Sequence, residues 1–130
     1  MGADSPRARL GALVFGAMAA EVVFTAARLR IADVIVDGHY STQDIAARVG
    51  ADIPALTRLL RALAALGLLS EPVSGQFRLT EIGRLLETTR ADSMHAFVRA
   101  FGDPTMLSAW SHLDAAVLSG NSQFEKIYGT

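Results

Sequence analysis

The stretch from Ser41 to Gly83 constrains the fold most, because it contains helix caps, helical periodicity and strand alternation in a fixed order. Ser41 and Asp44 have the spacing of a capping box, and Asp52 is a natural N-cap for a second helix. Apolar residues then recur at helical spacing up to Gly67. Alternating apolar residues on both sides of a turn follow and predict two paired strands. Residues 41–83 are therefore predicted to form a winged helix-turn-helix unit.

This kind of unit often binds DNA, but its second helix lacks the residues that read bases. If Leu56 faces inward, helical periodicity turns Ala62 and Ala65 outward, and alanine presents no hydrogen-bonding group to a base edge. The helix end that would enter the groove carries Asp52, whose charge repels phosphate. The net charge of −1 leaves no basic excess. We therefore predict no nucleic-acid partner, and a ligand-responsive transcriptional regulator is the alternative.

A nearly continuous apolar stretch runs from Leu10 to Ala27, interrupted by Glu21 and Thr25. It fits a signal peptide, a membrane span that would bury Glu21, or a helix that is covered on most sides. The apolar pattern continues into Ile35, which favours the covered helix and a protein without a membrane partner. A domain of 130 residues covers about one stripe of such a helix, so a second copy is predicted to cover the rest in a homodimer. The predicted dimer-interface residues are Leu13, Val14, Phe15, Met18, Val22, Val23 and Phe24.

The domain prediction is a disordered N-terminus at 1–9 and one mostly α-helical domain at 10–130. This domain has a dimerisation helix, the winged unit with its small β-hairpin, and C-terminal helices that end in an apolar turn at 124–128. An unpaired buried carboxylate is costly, so Glu21 is expected to reach solvent or to pair with Arg28 or Arg30. The absence of cysteine excludes a disulfide framework and suits a cytoplasmic location.

Residues with catalytic potential do not group along the sequence. His39, His95 and His112 have no metal-ligand spacing, and the glycines form neither a phosphate loop nor a dinucleotide fingerprint. No serine lies in a nucleophile elbow, and the acidic residues are dispersed. We therefore predict no catalytic residue, no cofactor-binding residue and no metal site, and we expect no enzymatic activity from this chain alone.

Aromatic and sulfur-containing side chains form a cluster on two consecutive predicted helices. The members are Phe97, Phe101, Met106 and Trp110. Such a set is more often part of a plain core, but rings and a thioether sulfur also line cavities for flat apolar ligands. We predict that the four residues border a substrate pocket for an aromatic small molecule.

Three segments together carry a family pattern. R-L-R-I-A-D-V-I at 28–35 follows the apolar helix, and L-T-R-L-L-R-A-L-A-A-L-G-L-L at 56–69 precedes F-R-L-T-E-I-G at 77–83. W-x-x-L-x-x-A-V-x-x-G-x-x-x-F-E-x-x-Y-G follows at 110–129. In this order, the segments resemble the N-terminal dimerisation domain of S-adenosylmethionine-dependent small-molecule O-methyltransferases, of the bacterial polyketide-tailoring and plant phenylpropanoid type.

The resemblance implies a role in a larger enzyme. In that family, the domain intertwines with its twin and roofs the substrate pocket of the partner domain. S-adenosylmethionine and the catalytic histidine belong to a Rossmann-like C-terminal domain, which is absent from this chain. The implied reaction is methyl transfer to a hydroxyl of an aromatic acceptor in natural-product tailoring. A dimerisation module that stands alone remains a second alternative, and the sequence leaves open whether 130 residues is the natural length.

Overall fold

The computed structural model describes residues 5–121. This part of the chain is mostly α-helical with a small antiparallel hairpin, which confirms the predicted fold class. In chain order, its elements are α1 (Pro6–Val14), α2 (Gly16–Arg28), α3 (Ile31–Val36), α4 (Thr42–Val49), α5 (Ile53–Ala65), β1 (Leu69–Val73), β2 (Gln76–Leu79), α6 (Glu81–Arg84), α7 (His95–Phe101), α8 (Pro104–Trp110) and α9 (Leu113–Ser119). The predicted apolar turn at 124–128 lies outside the described residues.

The apolar N-terminal stretch forms two helices instead of the single predicted one. Helices α1 and α2 meet at a bend of 40°. Glycine is less favourable than alanine inside a helix by about 1 kcal/mol, so Gly16 favours a break at this point. Helix α1 begins within the segment 1–9 that was predicted to be disordered. The reason is local, because the Ser5 hydroxyl accepts a hydrogen bond from the Ala8 amide at 3.1 Å and Pro6 fits the first helical turn.

The α1–α2 pair contains the expected partner of Glu21. The Glu21 carboxylate pairs with the Arg28 guanidinium at 2.7 Å, as predicted. Both side chains are largely solvated, so the pair adds little stability. Across residues 5–121, a single helix never reaches the length and apolar composition needed to cross a membrane, whereas the bent pair reaches both when its two helices are taken together.

The predicted winged unit consists of α4, α5 and the β1–β2 hairpin. Its helix caps are formed as the sequence predicts, because Ser41 Oγ accepts from the Asp44 amide at 3.1 Å and Asp52 Oδ2 accepts from the Ala55 amide at 3.0 Å. The hairpin turns at Gly75, whose φ of 78° lies in the left-handed region that favours glycine. Local side-chain to backbone bonds thus define where these elements begin and end.

The hydrophobic core lies between α2, α3, α4, α5 and the hairpin. Its largest fully buried side chains are Phe77, Ile31, Ile45, Leu60 and Leu63. On α5, Leu56 is buried and Ala65 is exposed, as predicted; Leu60 and Leu63 are also buried, and Arg58 and Arg61 are exposed. Ala62 differs from the prediction, because it is half-buried.

Two close contacts fix the segment between the hairpin and α7. Asp33 accepts hydrogen bonds from the Thr88 amide at 2.9 Å and from the Thr88 hydroxyl at 2.8 Å. Gly83 packs so closely on the Leu68 carbonyl that a Cβ atom would overlap it. Helix α7 then begins at His95, whose amide donates a hydrogen bond to the Ser93 hydroxyl at 3.1 Å. These contacts tie the start of α7 to the core and thereby position the site described next.

Candidate functional site

Helices α7 and α8 form an open hollow of about 670 Å³, here called the α7–α8 hollow. Asp103 lies in the turn between them and starts α8, because its Oδ1 accepts from the Thr105 amide at 2.8 Å. Small apolar side chains leave the space open, and three titratable or charged side chains lie at its wall. The lining includes His95, Arg99, Ala100, Asp103, Met106 and Ala109.

The structure does not gather the four predicted pocket residues around this hollow. Met106 lines it, whereas Phe97, Phe101 and Trp110 are absent from its lining. The Phe97 and Phe101 rings pack on each other instead, with centroids 4.7 Å apart and planes tilted by 43°. All four side chains are solvent-exposed, at 57%, 46%, 42% and 65% for Phe97, Phe101, Met106 and Trp110 respectively. They therefore do not form a sealed core in this part of the chain.

Apart from Met106, sequence reasoning missed the residues that make the hollow, because only large side chains were considered as its wall. Positions 96 and 100 are alanines four residues apart, so they share one face of α7 next to Arg99. Phe97 and Phe101 have the same spacing but lie on another face. A pair of small residues at helical spacing, opposite a second alanine-bearing helix, is the signal that could have located this space.

Two contacts attach the hollow to helix α2. The His95 Nε2 atom lies 3.0 Å from the Ala27 carbonyl oxygen, at hydrogen-bonding distance. At the other end of α7, Gly102 is buried against the Phe24 ring, and a Cβ atom on Gly102 would lie 2.6 Å from Phe24 Cγ. The geometry of the hollow therefore depends on how α7 rests on α2.

The charges at the hollow are not arranged as a catalytic or metal centre. Within residues 5–121, no group of three His, Cys, Asp or Glu side chains could hold a metal ion. Asp103 is engaged as a helix cap, and His95 is held by a backbone carbonyl. Arg99 projects from the last turn of α7 and has no hydrogen-bond or ion-pair partner in the described part of the chain. The arrangement supports ligand binding by an apolar wall with one available cation.

The predicted dimer-interface residues divide into two groups in the structure. Four of them are exposed on α1, at the bend and at the start of α2, namely Leu13, Val14, Phe15 and Met18, and Leu10 extends this surface. The remaining residues are partly buried: Val22 and Val23 pack against the core of their own chain, and Phe24 packs against Gly102. The available apolar surface is thus concentrated on α1 and the first turn of α2, here called the α1–α2 apolar surface.

Comparison with known proteins identifies the family. The family model for the O-methyltransferase dimerisation domain matches residues 12–89. The chain is 40% identical, over 122 residues, to O-demethylpuromycin-O-methyltransferase of Streptomyces alboniger; the match covers 94% of this chain and 32% of that protein. This chain thus spans about a third of the length of the curated relatives it matches.

Solved structures agree with this assignment. The crystal structure of LaPhzM matches with a TM-score of 0.90 and 31% identity, covering 97% of this chain and 38% of that one. The O-methyltransferase NcsB1 from neocarzinostatin biosynthesis, in complex with S-adenosylmethionine and 2-hydroxy-5-methyl naphthoic acid, matches with a TM-score of 0.71 and 31% identity. That match covers 85% of this chain and 34% of NcsB1. The resemblance seen in the sequence is confirmed, and the chain belongs to the O-methyltransferase dimerisation domain family.

Proposed function

We propose that this chain is the dimerisation and acceptor-pocket domain of an S-adenosylmethionine-dependent O-methyltransferase. The proposed reaction transfers a methyl group to a hydroxyl of an aromatic small molecule, as in natural-product tailoring. The α7–α8 hollow carries this proposal, because its volume of about 670 Å³ lies within the range of roughly 300–1,000 Å³ that is common for small-molecule pockets. NcsB1, the similar protein solved with a naphthoic acid, supports an aromatic acceptor.

The wall of the hollow suits a flat ring. Ala100, Ala109 and Met106 offer apolar contact without filling the space, and a thioether sulfur makes favourable contacts with aromatic rings. Phe97, Phe101 and Trp110 are exposed but lie outside the lining of the hollow. We propose that they become part of the acceptor pocket when a second copy or the catalytic part of the enzyme covers them.

The proposed homodimer uses the α1–α2 apolar surface. Exposed large apolar side chains that cluster on neighbouring turns are typical of interaction sites. Burying one large apolar side chain is worth roughly 1.5–3 kcal/mol, so covering Leu13, Val14, Phe15 and Met18 supplies a strong driving force. The contact would be two-fold, with the same surface contributed by both copies.

The cofactor proposal concerns the whole enzyme. S-adenosylmethionine supplies the methyl group in the proposed reaction, and the sequence of this chain has no glycine-rich turn followed by an acid to hold it. We therefore assign no step of methyl transfer to residues of this chain. The protein is proposed to act in the cytoplasm, without a nucleic-acid or membrane partner.

Methyl transfer by the complete enzyme tests the proposal. The protein would be incubated with methyl-labelled S-adenosylmethionine and a panel of hydroxylated benzenes, naphthalenes and phenazines, and methoxy products would be detected by mass spectrometry. Met106→Gln replaces an apolar side chain of the wall with an amide and should raise KM for the accepted ring about tenfold, because burying a polar group without a hydrogen-bond partner costs roughly 1–3 kcal/mol. Arg58→Gln, on the exposed face of α5, is the matched control and should leave KM unchanged. A complete enzyme that methylates none of these hydroxyls would contradict the proposed function.

A further inference from the structure

We infer that Arg99 makes the α7–α8 hollow selective for aromatic acceptors that carry a carboxylate. This inference rests on the proposed function, because it concerns which acceptors enter the same hollow. The shape of the hollow would admit any flat ring. A contact from Arg99 would restrict it to rings that carry a carboxylate.

The cation is located where an acceptor would lie. Arg99 lines the hollow together with Ala100 and Met106, so a ring resting on the apolar wall would have its substituents close to the guanidinium. Arg28, Arg30, Arg61 and Arg90 form ion pairs with carboxylates of this chain, and Arg99 differs from Arg58, which has no such partner within residues 5–121 either, in that it lines the hollow. Arg99 has no such partner among residues 5–121, so its donors are available to a ligand.

Asp103 is the carboxylate that could neutralise Arg99, because it also lines the hollow and follows four residues later. Its Oδ1 instead accepts from the Thr105 amide at 2.8 Å and caps α8. Its carboxylate makes no ion pair with Arg99 within residues 5–121. Asp103 keeps its negative charge as a cap, but because it makes no ion pair with Arg99 in this part of the chain, the guanidinium donors remain available.

The chemistry of arginine fits a carboxylate on a planar ring. The guanidinium presents parallel N–H donors that bind a carboxylate with two hydrogen bonds, and its flat face also packs on aromatic rings. A simpler role for Arg99 is to complement the negative end of the α7 dipole from the last turn. Lysine would retain that role but could not reproduce the two-bond geometry. The two explanations therefore predict different effects of Arg99 substitutions on the binding of carboxylates.

Equilibrium dialysis of the complete enzyme separates these explanations. S-adenosylhomocysteine would be present to prevent turnover. The probes would be aromatic carboxylates with one, two and three rings, each compared with its neutral amide. The carboxylates are benzoate, 2-naphthoate and phenazine-1-carboxylate. The wild-type enzyme should prefer at least one carboxylate over its amide. Arg99→Gln should lower that carboxylate-to-amide affinity ratio by roughly 10- to 100-fold, which is the value of a hydrogen-bonded charge pair.

The conservative variant and the control sharpen the test. Arg99→Lys should restore part of the preference, while Arg58→Gln should leave the ratio at the wild-type value. The inference is overturned if no carboxylate binds, if every carboxylate binds no better than its amide, or if Arg99→Gln leaves the ratio unchanged. Methyl transfer by the wild-type enzyme is measured separately, so a failure of the proposed function is seen in that assay and not in the affinity ratio.

Discussion

Gly102 is the residue at which the hollow-forming helices contact helix α2. Its φ of −87° is open to any amino acid, so glycine is not needed there for its backbone conformation. The requirement is space, because a Cβ atom would lie 2.6 Å from Cγ of the Phe24 ring. The Phe24 ring on α2 thus limits how closely the C-terminal end of α7 can approach.

Gly102→Ala should therefore destabilise the fold by about 1–3 kcal/mol, the usual cost of overpacking. Denaturant unfolding would measure the loss. Phe24→Ala is the companion variant, since it removes the ring that the new methyl group would meet. The cost of Gly102→Ala should fall sharply in the Phe24→Ala background, and equal costs in both backgrounds would show that the two residues are not coupled.

Glu71 is expected to make the stability of the hairpin depend on pH. The pKa of its carboxyl is held below the ordinary value of 4.5, first by the hydrogen bond that it accepts from the Gly75 amide at 2.8 Å and then by Arg61. A lowered pKa in the folded state means that the contribution to stability is present above about pH 4.5 and is lost as the pH falls. Unfolding measured between neutral and acidic pH should therefore lose less stability in Glu71→Gln than in the wild type. Identical pH profiles would show that this carboxylate is not linked to folding.

Single residues were predictable where their interactions are local. The caps at Ser41 and Asp52 follow from one side chain and the next turn of backbone, and the Glu21–Arg28 pair follows from the cost of an unpaired charge in an apolar helix. The hollow was not predictable in this way. Arg99 and Ala100 line the hollow because of where α8 lies, and sequence spacing within α7 does not contain that information.

The recognition helix of the winged unit, α5, is poorly equipped for DNA. Ala65 is exposed and Ala62 is half-buried. The methyl side chain of alanine has no donor or acceptor with which to read a base. Arg61 lies near the Glu71 carboxylate at 3.4 Å, which reduces the positive charge on this face.

We expect no sequence-selective binding to duplex DNA at physiological salt. Fluorescence anisotropy with a library of labelled duplexes would measure it, with the salt concentration stated because non-specific binding depends on it. Selective binding at nanomolar protein that is lost on Arg58→Ala would reverse this conclusion and favour the transcriptional regulator.

Helix α1 shows where element prediction failed. The apolar stretch reads as one continuous helix, because its composition offers no polar break before Glu21. The structure bends it by 40° near Gly16. No residue of α1 is buried in the core. The position of α1 is therefore not determined by core packing, which is the information that apolar periodicity in a sequence provides.

The molecule as a whole has a well-packed core and large apolar areas outside it. Phe77 and Leu60 are fully buried, whereas the α1–α2 apolar surface and the outer faces of α8 and α9 remain uncovered within residues 5–121. Trp110, Val117 and Leu118 belong to the second area. An isolated copy would therefore expose more apolar surface than a monomer of this size usually does.

Sedimentation equilibrium of the 130-residue chain tests the central claim, that this domain dimerises through the α1–α2 apolar surface. We expect a dimer at micromolar concentration. Leu13→Asp combined with Phe15→Asp should abolish it, because both side chains are exposed in one copy and would place charges inside the contact. Val73→Asp, an equally exposed apolar position in the hairpin, should remain dimeric. A wild-type chain that is folded and monomeric at this concentration would contradict the claim.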